Sequence, residues 1–140
     1  MTEPAPPFPV LTGKSLPQPV AVLRHTGGMQ GDHFDVLLAT RAPANDDDLV
    51  CATWRTAHDP GGLAVGESTT ADRIGAHRAA YLSLIGAHQL SADRGTVTPV
   101  RAGNWVPRGL NGTEIELHWS DGARTVMTAL PNGTWTRIDT

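Results

Sequence analysis

Apolar and polar residues alternate with period two along most of this chain after residue 19, the pattern of strands that bury one face. It is clearest at residues 114–119, where Glu114, Glu116 and His118 interleave with Ile115, Leu117 and Trp119. By the same pattern, residues 20–24, 34–38, 49–55, 95–100, 104–106, 113–119, 124–130 and 134–138 predict strands, with 63–65 a further short one. Asp121-Gly122 and Asn132-Gly133 are hairpin signals between the last three strands, and 59–62 (DPGG) is a turn. Only residues 70–85 predict a helix, with Thr70 as cap, Asp72 in the first turn, Gly86 as terminator, and Ile74, Tyr81, Leu84 and Ile85 as its apolar side. The fold class that follows is mainly β: a small closed or nearly closed β-barrel of about eight strands with one short helix.

Composition changes this picture at the edges. Six prolines in residues 1–19 predict a Pro-rich N-terminal arm, leaving 20–140 as one barrel domain. Trp105, Trp119 and Trp135 are expected in the core or at the barrel ends. A loop is expected over residues 41–48 (RAPANDDD). Cys51 is the single cysteine, so no internal disulfide forms. Without a long apolar run or a signal-like start, the expectation is a cytoplasmic protein with no membrane partner. The sequons at Asn111 and Asn132 then read as turn chemistry. The formal charge of −3 does not advertise nucleic-acid binding, although Arg24, Arg41, Arg55, Arg73, Arg78, Arg94 and Arg101 leave a local basic groove open.

The chemistry gathers in residues 23–38, LRHTGGMQGDHFDVLL. His33 and Asp35 are two apart on a predicted strand and so share a face. Gly27, Gly28 and Gly31 let the connection fold tightly, which would bring His25 beside them. Two imidazoles and a carboxylate can bind a divalent ion with positions left open, whereas a sheet edge showing His and Asp to water is the plain alternative. His77 and Tyr81, four apart on the expected helix, would stack one above the other, or else serve as a boundary residue and ordinary core.

Taken in order, these pieces resemble the 3′-phosphoesterase domain of bacterial DNA ligase D, the N-terminal domain of DNA polymerase–ligase, in its short stand-alone form. The resemblance rests on His25, His33-Phe34-Asp35, the strand Ala52-Thr53-Trp54-Arg55, His77 with Tyr81, Gly95-Thr96-Val97 and Gly103-Asn104-Trp105. It covers roughly residues 20–138. It implies a manganese-dependent enzyme, with zinc as the alternative metal, that removes a terminal ribonucleoside or 3′-phosphate from DNA or primer 3′ ends in DNA repair. By this resemblance His25, His33 and Asp35 hold the metal, His77 acts on the phosphate and Tyr81 supports it. Its partners would be nucleic-acid 3′ ends and other DNA-repair proteins. Two positions depart from the family: Leu37 stands where an arginine contacts phosphate, and Ala39 where an acidic residue ends the strand. Arg55 on the next strand is the first candidate for a substitute cation, and Leu37→Arg is expected to speed the reaction. The competing expectation is a weak or inactive barrel that only binds DNA ends or repair partners.

Overall fold

A computed structural model describes residues 7–9, 11, 16–90, 93–109 and 112–139. Nine strands follow in order: β1 Gln18–Thr26, β2 His33–Ala39, β3 Cys51–Thr56, β4 Ser68–His77, β5 His88–Gln89, β6 Thr96–Arg108, β7 Glu114–Trp119, β8 Arg124–Ala129 and β9 Thr134–Arg137. Eight of them close antiparallel in the order β1-β2-β3-β4-β9-β8-β7-β6, with β6 returning to β1 and β5 adding to the edge of β6. The expected barrel is thus the observed one.

The expected helix at 70–85 is not formed. Residues up to His77 are β4, and only a 3-10 turn, Ala79–Ser83, follows. The reason is tertiary: β4 pairs with β3 on one side and β9 on the other, so without it the ring would stay open. Locally the sequence agrees, since Thr69 and Ala71 are buried while Ser68, Thr70 and Asp72 are exposed, a period of two. Ile85, assigned to the helix's apolar side, is 96% exposed. Two further expectations change. Residues 63–65 form no strand, and the strands expected at 95–100 and 104–106 are one, β6. Its register against β1 shifts by a residue at Val100, a bulge that lets it bend and pair with both β1 and β7. Gly103 sits in that strand because a Cβ there would lie 2.0 Å from the His118 carbonyl oxygen.

Val20, Val22, Val36, Leu38, Trp54, Trp105, Leu117, Met127 and Trp135 fill the barrel. Trp105 Nε1 donates to the Ala39 carbonyl at 2.9 Å and Trp119 Nε1 to Thr125 Oγ1 at 2.9 Å, so the indoles bury no unpaired donor. Phe8, from the stretch read as an arm, is 1% exposed and packs on Trp54 and Trp135, with ring centroids 5.7 and 5.2 Å away. The rest of that stretch at 1–6, 10 and 12–15, and Asn111 of the first sequon, lie outside the described residues. The loop expected at 41–48 is a loop, held by an Arg41–Asp48 fork at 2.8 and 2.9 Å.

Even-numbered residues of β1 and β2 point into the barrel, so the odd-numbered ones point out. Most barrel exteriors meet water. Here Leu23, Leu37, Val50 and Cys51 form a second apolar cluster with Ala79, capped by Tyr81, Leu82 and Leu84 of the following turn. The chain between β4 and β6 thus covers the outside of β1–β3 and creates a recess there. No helix among the described residues is long and apolar enough to cross a membrane.

Candidate metal centre

His25, His33 and Asp35 belong to this outward face. His25 and His33 are direct partners across the β1–β2 pair, and Asp35 lies two residues along β2, so the three side chains converge. One ligand atom from each falls within 4.8 Å of the others, the single such cluster of ligand-type side chains among the described residues. Asp35 Oδ1 is 3.2 Å from His33 Nε2, and Asp35 Oδ2 is 3.8 Å from His25 Nδ1.

The hydrogen bonds around the rings decide which nitrogen faces the cluster. His33 Nδ1 donates to the Gly31 carbonyl at 2.9 Å, and His25 Nε2 donates to the Arg94 carbonyl. In the neutral rings this leaves the lone pairs on His33 Nε2 and His25 Nδ1, the two atoms that approach Asp35. Backbone carbonyls holding the outer nitrogen are the usual way of fixing a metal-binding imidazole. His33 and Asp35 are 6% and 3% exposed. Yet His33 Nε2 and Asp35 Oδ1 are buried with no hydrogen-bond partner. Burying two polar atoms unpaired costs free energy that a shared cation would offset. The donor set therefore fits a divalent ion, and two imidazoles with one carboxylate suit several first-row metals, iron, manganese and zinc among them.

The glycines of the β1–β2 connection are part of this construction. Gly31 has φ +78°, open to glycine at no steric cost, and it presents the carbonyl that holds His33. A Cβ on Gly28 would lie 2.8 Å from the Arg94 carbonyl oxygen and 3.3 Å from His25 Nε2, against the bond that orients His25.

The recess under the β4–β6 connection is a cavity of about 330 Å³ whose wall includes His25, Asp35, Gln30, His77, Tyr81 and Arg94. The structure thus puts His77 and Tyr81 on the wall of the cavity that His25 and Asp35 also line, but not as a helical pair. His77 ends β4, Tyr81 lies in the 3-10 turn, and their rings meet edge to face at 5.7 Å. His77 Nδ1 bonds the Gly75 carbonyl at 3.1 Å, leaving Nε2 as the nitrogen a ligand would meet. The Tyr81 hydroxyl accepts from Arg78 at 3.5 Å, and hydrogen bonding to Tyr81 and Asp47 raises the Arg78 pKa.

Arg41 pairs with Asp48, Arg78 with Asp47 and Arg101 with Asp59, while Arg73 lies over Trp54. Arg55 is the direct partner of Asp35 across β2 and β3. Leu37 does share the outward face of His33 and Asp35, but it is fully buried beneath the 79–83 turn. Ala39, equally buried, lies between Trp105 and Cys51, where an acidic side chain would find no water.

Sequence reasoning did not reach Gln30 or the Arg94 carbonyl. The first lay in a loop read only for its glycines, and the second comes from a segment 69 residues away from His25. No family model and no curated protein matches the chain.

Proposed function

We propose that this protein is a divalent-metal phosphoesterase of the ligase D 3′-phosphoesterase type, acting on the 3′ ends of DNA or primer strands. One observation carries the reading: His25 and Asp35, from a cluster in which buried His33 and Asp35 each leave a polar atom unbonded, line the same cavity as His77 and Tyr81. A structural ion-pair network would have no need of an adjacent recess.

On this reading His25 Nδ1, His33 Nε2 and Asp35 hold manganese, or zinc in its place. Held there, such an ion would supply Lewis-acid chemistry toward phosphoryl oxygens and toward a water nucleophile. With Nδ1 donating to the Gly75 carbonyl, the neutral His77 ring has its lone pair at Nε2, where it would take up a proton and, as the imidazolium, pass it to the departing oxygen. Tyr81 keeps that ring edge-on and is itself tethered by Arg78. The apolar part of the wall, Leu23, Leu90 and Val97, excludes water and strengthens each of these contacts.

The burial of Leu37 favours a second reading, a barrel that recognises DNA ends or repair partners without turnover, since that strand position offers no cation. Release of phosphate from a 3′-phosphate oligonucleotide, with manganese and with chelator, separates the two. The phosphoesterase reading expects metal-dependent release that His77→Ala abolishes while metal binding and the far-ultraviolet spectrum stay unchanged. Oligonucleotide binding with no release under any divalent metal would establish the second reading instead.

A further inference from the structure

We infer that Arg55 and Gln30 form an oxyanion-binding corner beside the metal-ligand cluster, built to take a phosphoryl oxygen. The ligand class rests on the phosphoesterase reading; the corner itself rests on separate observations.

The first is an absence of neutralisation. Arg41, Arg78, Arg101, Arg108, Arg124 and Arg137 each pair with an acidic side chain. Arg55 has no such pair among the described residues, although it stands directly opposite Asp35 on β2 and Asp72 on β4 in the sheet register. Its Nη1 donates to the amide oxygen of Gln30 at 3.2 Å, and its Nε is buried without any partner. A half-buried guanidinium held by a neutral amide keeps its full charge and part of its donor fork unused.

The second observation is placement. Residues opposite each other on neighbouring strands share a face, so Arg55 emerges beside Asp35. Gln30 lines the cavity, and its bond to Nη1 draws the guanidinium toward that wall. Arginine's planar fork matches two oxygens of one phosphate, and such charge-assisted pairs are among the strongest hydrogen bonds. The third is the closure of the alternative: Leu37, the other outward position next to Asp35 on β2, is covered by the 79–83 turn and could not carry a solvent-facing cation. A guanidinium from β3 therefore supplies what β2 does not. Gln30 is a positioning residue in this scheme, since it acts through Arg55.

The test titrates inorganic phosphate into the manganese-loaded protein by calorimetry, with manganese affinity measured separately by electron paramagnetic resonance. Arg55→Met should weaken phosphate binding at least tenfold and leave manganese affinity unchanged. Arg55→Lys, which keeps the charge and loses the fork, should weaken it severalfold, as should Gln30→Ala. Phosphate binding unaltered in Arg55→Met overturns the inference, as does a natural protein that takes up manganese but no phosphate. Parallel loss of manganese and phosphate in Arg55→Met also overturns it, because Arg55 would then be supporting the cluster. Should Arg55→Met fail to fold, unaltered phosphate affinity in both Arg55→Lys and Gln30→Ala decides against it. Turnover of a 3′-phosphate oligonucleotide indifferent to Arg55 would remove the corner and leave the phosphoesterase reading standing. Arg55-dependent phosphate binding without turnover would do the reverse.

Discussion

Asp35→Asn should separate metal binding from fold stability with opposite signs. The carboxylate is 3% exposed, is the only anionic group in the cluster, and leaves Oδ1 unbonded. Without metal, its charge is a burden. Asparagine is nearly the same shape, carries no charge, and offers an amide donor to the lone pair of His33 Nε2, 3.2 Å from Asp35 Oδ1. The metal-free variant should therefore be as stable as the natural protein, or more stable by about 1 kcal/mol, the net worth of one hydrogen bond. With manganese the order reverses. A ligand at a hundred times its Kd stabilises the native state by about 2.7 kcal/mol. For a domain of this size, roughly 3 to 4 °C of Tm follows each kcal/mol, so manganese should raise Tm by about 8 to 11 °C. If losing the anionic ligand weakens binding roughly a hundredfold, the same manganese stabilises by only about 0.4 kcal/mol, a shift of about 1 to 2 °C. Differential scanning fluorimetry of both proteins, with chelator and with manganese, reads all four values. An equal manganese shift in the variant would refute the ligand assignment. So would a loss of more than about 3 kcal/mol in the metal-free variant, the cost of breaking a structural buried ion pair.

Other expectations follow from packing and protonation. Leu37→Arg should destabilise the fold by more than about 3 kcal/mol rather than speed a reaction, because the charge would be buried under the 79–83 turn; a stable, faster variant in urea unfolding and turnover assays would contradict this. Phe8→Ala should cost about 3 to 5 kcal/mol by the same urea measurement, since its ring fills space between Trp54 and Trp135; a loss under 1 kcal/mol would mean that the segment does not close the barrel. Burial pushes the Cys51 thiol from 9.0 up to about 11. It should therefore resist thiol reagents at pH 8 until the protein unfolds, and rapid labelling of native protein would contradict the burial. Because the folded value is the higher one, this thiol's contribution to stability is complete below about pH 9 and disappears as pH rises through about 11. The Arg41 guanidinium and the Ala44 amide hold the Asp48 carboxyl at about 2, so its carbon-13 titration midpoint should lie near that value; a midpoint near 4 would mean the loop is open in solution.

What the sequence by itself determined was local. Period-two alternation, β-branched residues and two Asp-Gly or Asn-Gly turns were enough to read a barrel, because each strand's pattern reports its own two faces. The convergence of His25, His33 and Asp35 was equally legible, since a tight hairpin fixes which residues are opposite and which share a side. Non-local questions were not. Residues 68–77 carry helix-compatible punctuation, and only ring closure between β3 and β9 makes them a strand. The stretch 101–103, ending in Gly103, disguised β6 as two strands, because a bulge and a close approach to β7 leave no local pattern. His77 reached the site by a strand end rather than a helix, and Leu37 turned from a missing cation into core. Both outcomes depend on where the 79–83 turn lands on the barrel's outer face. That docking is set by contacts between residues tens of positions apart, and hydrophobic burial constrains it without addressing any one partner in advance.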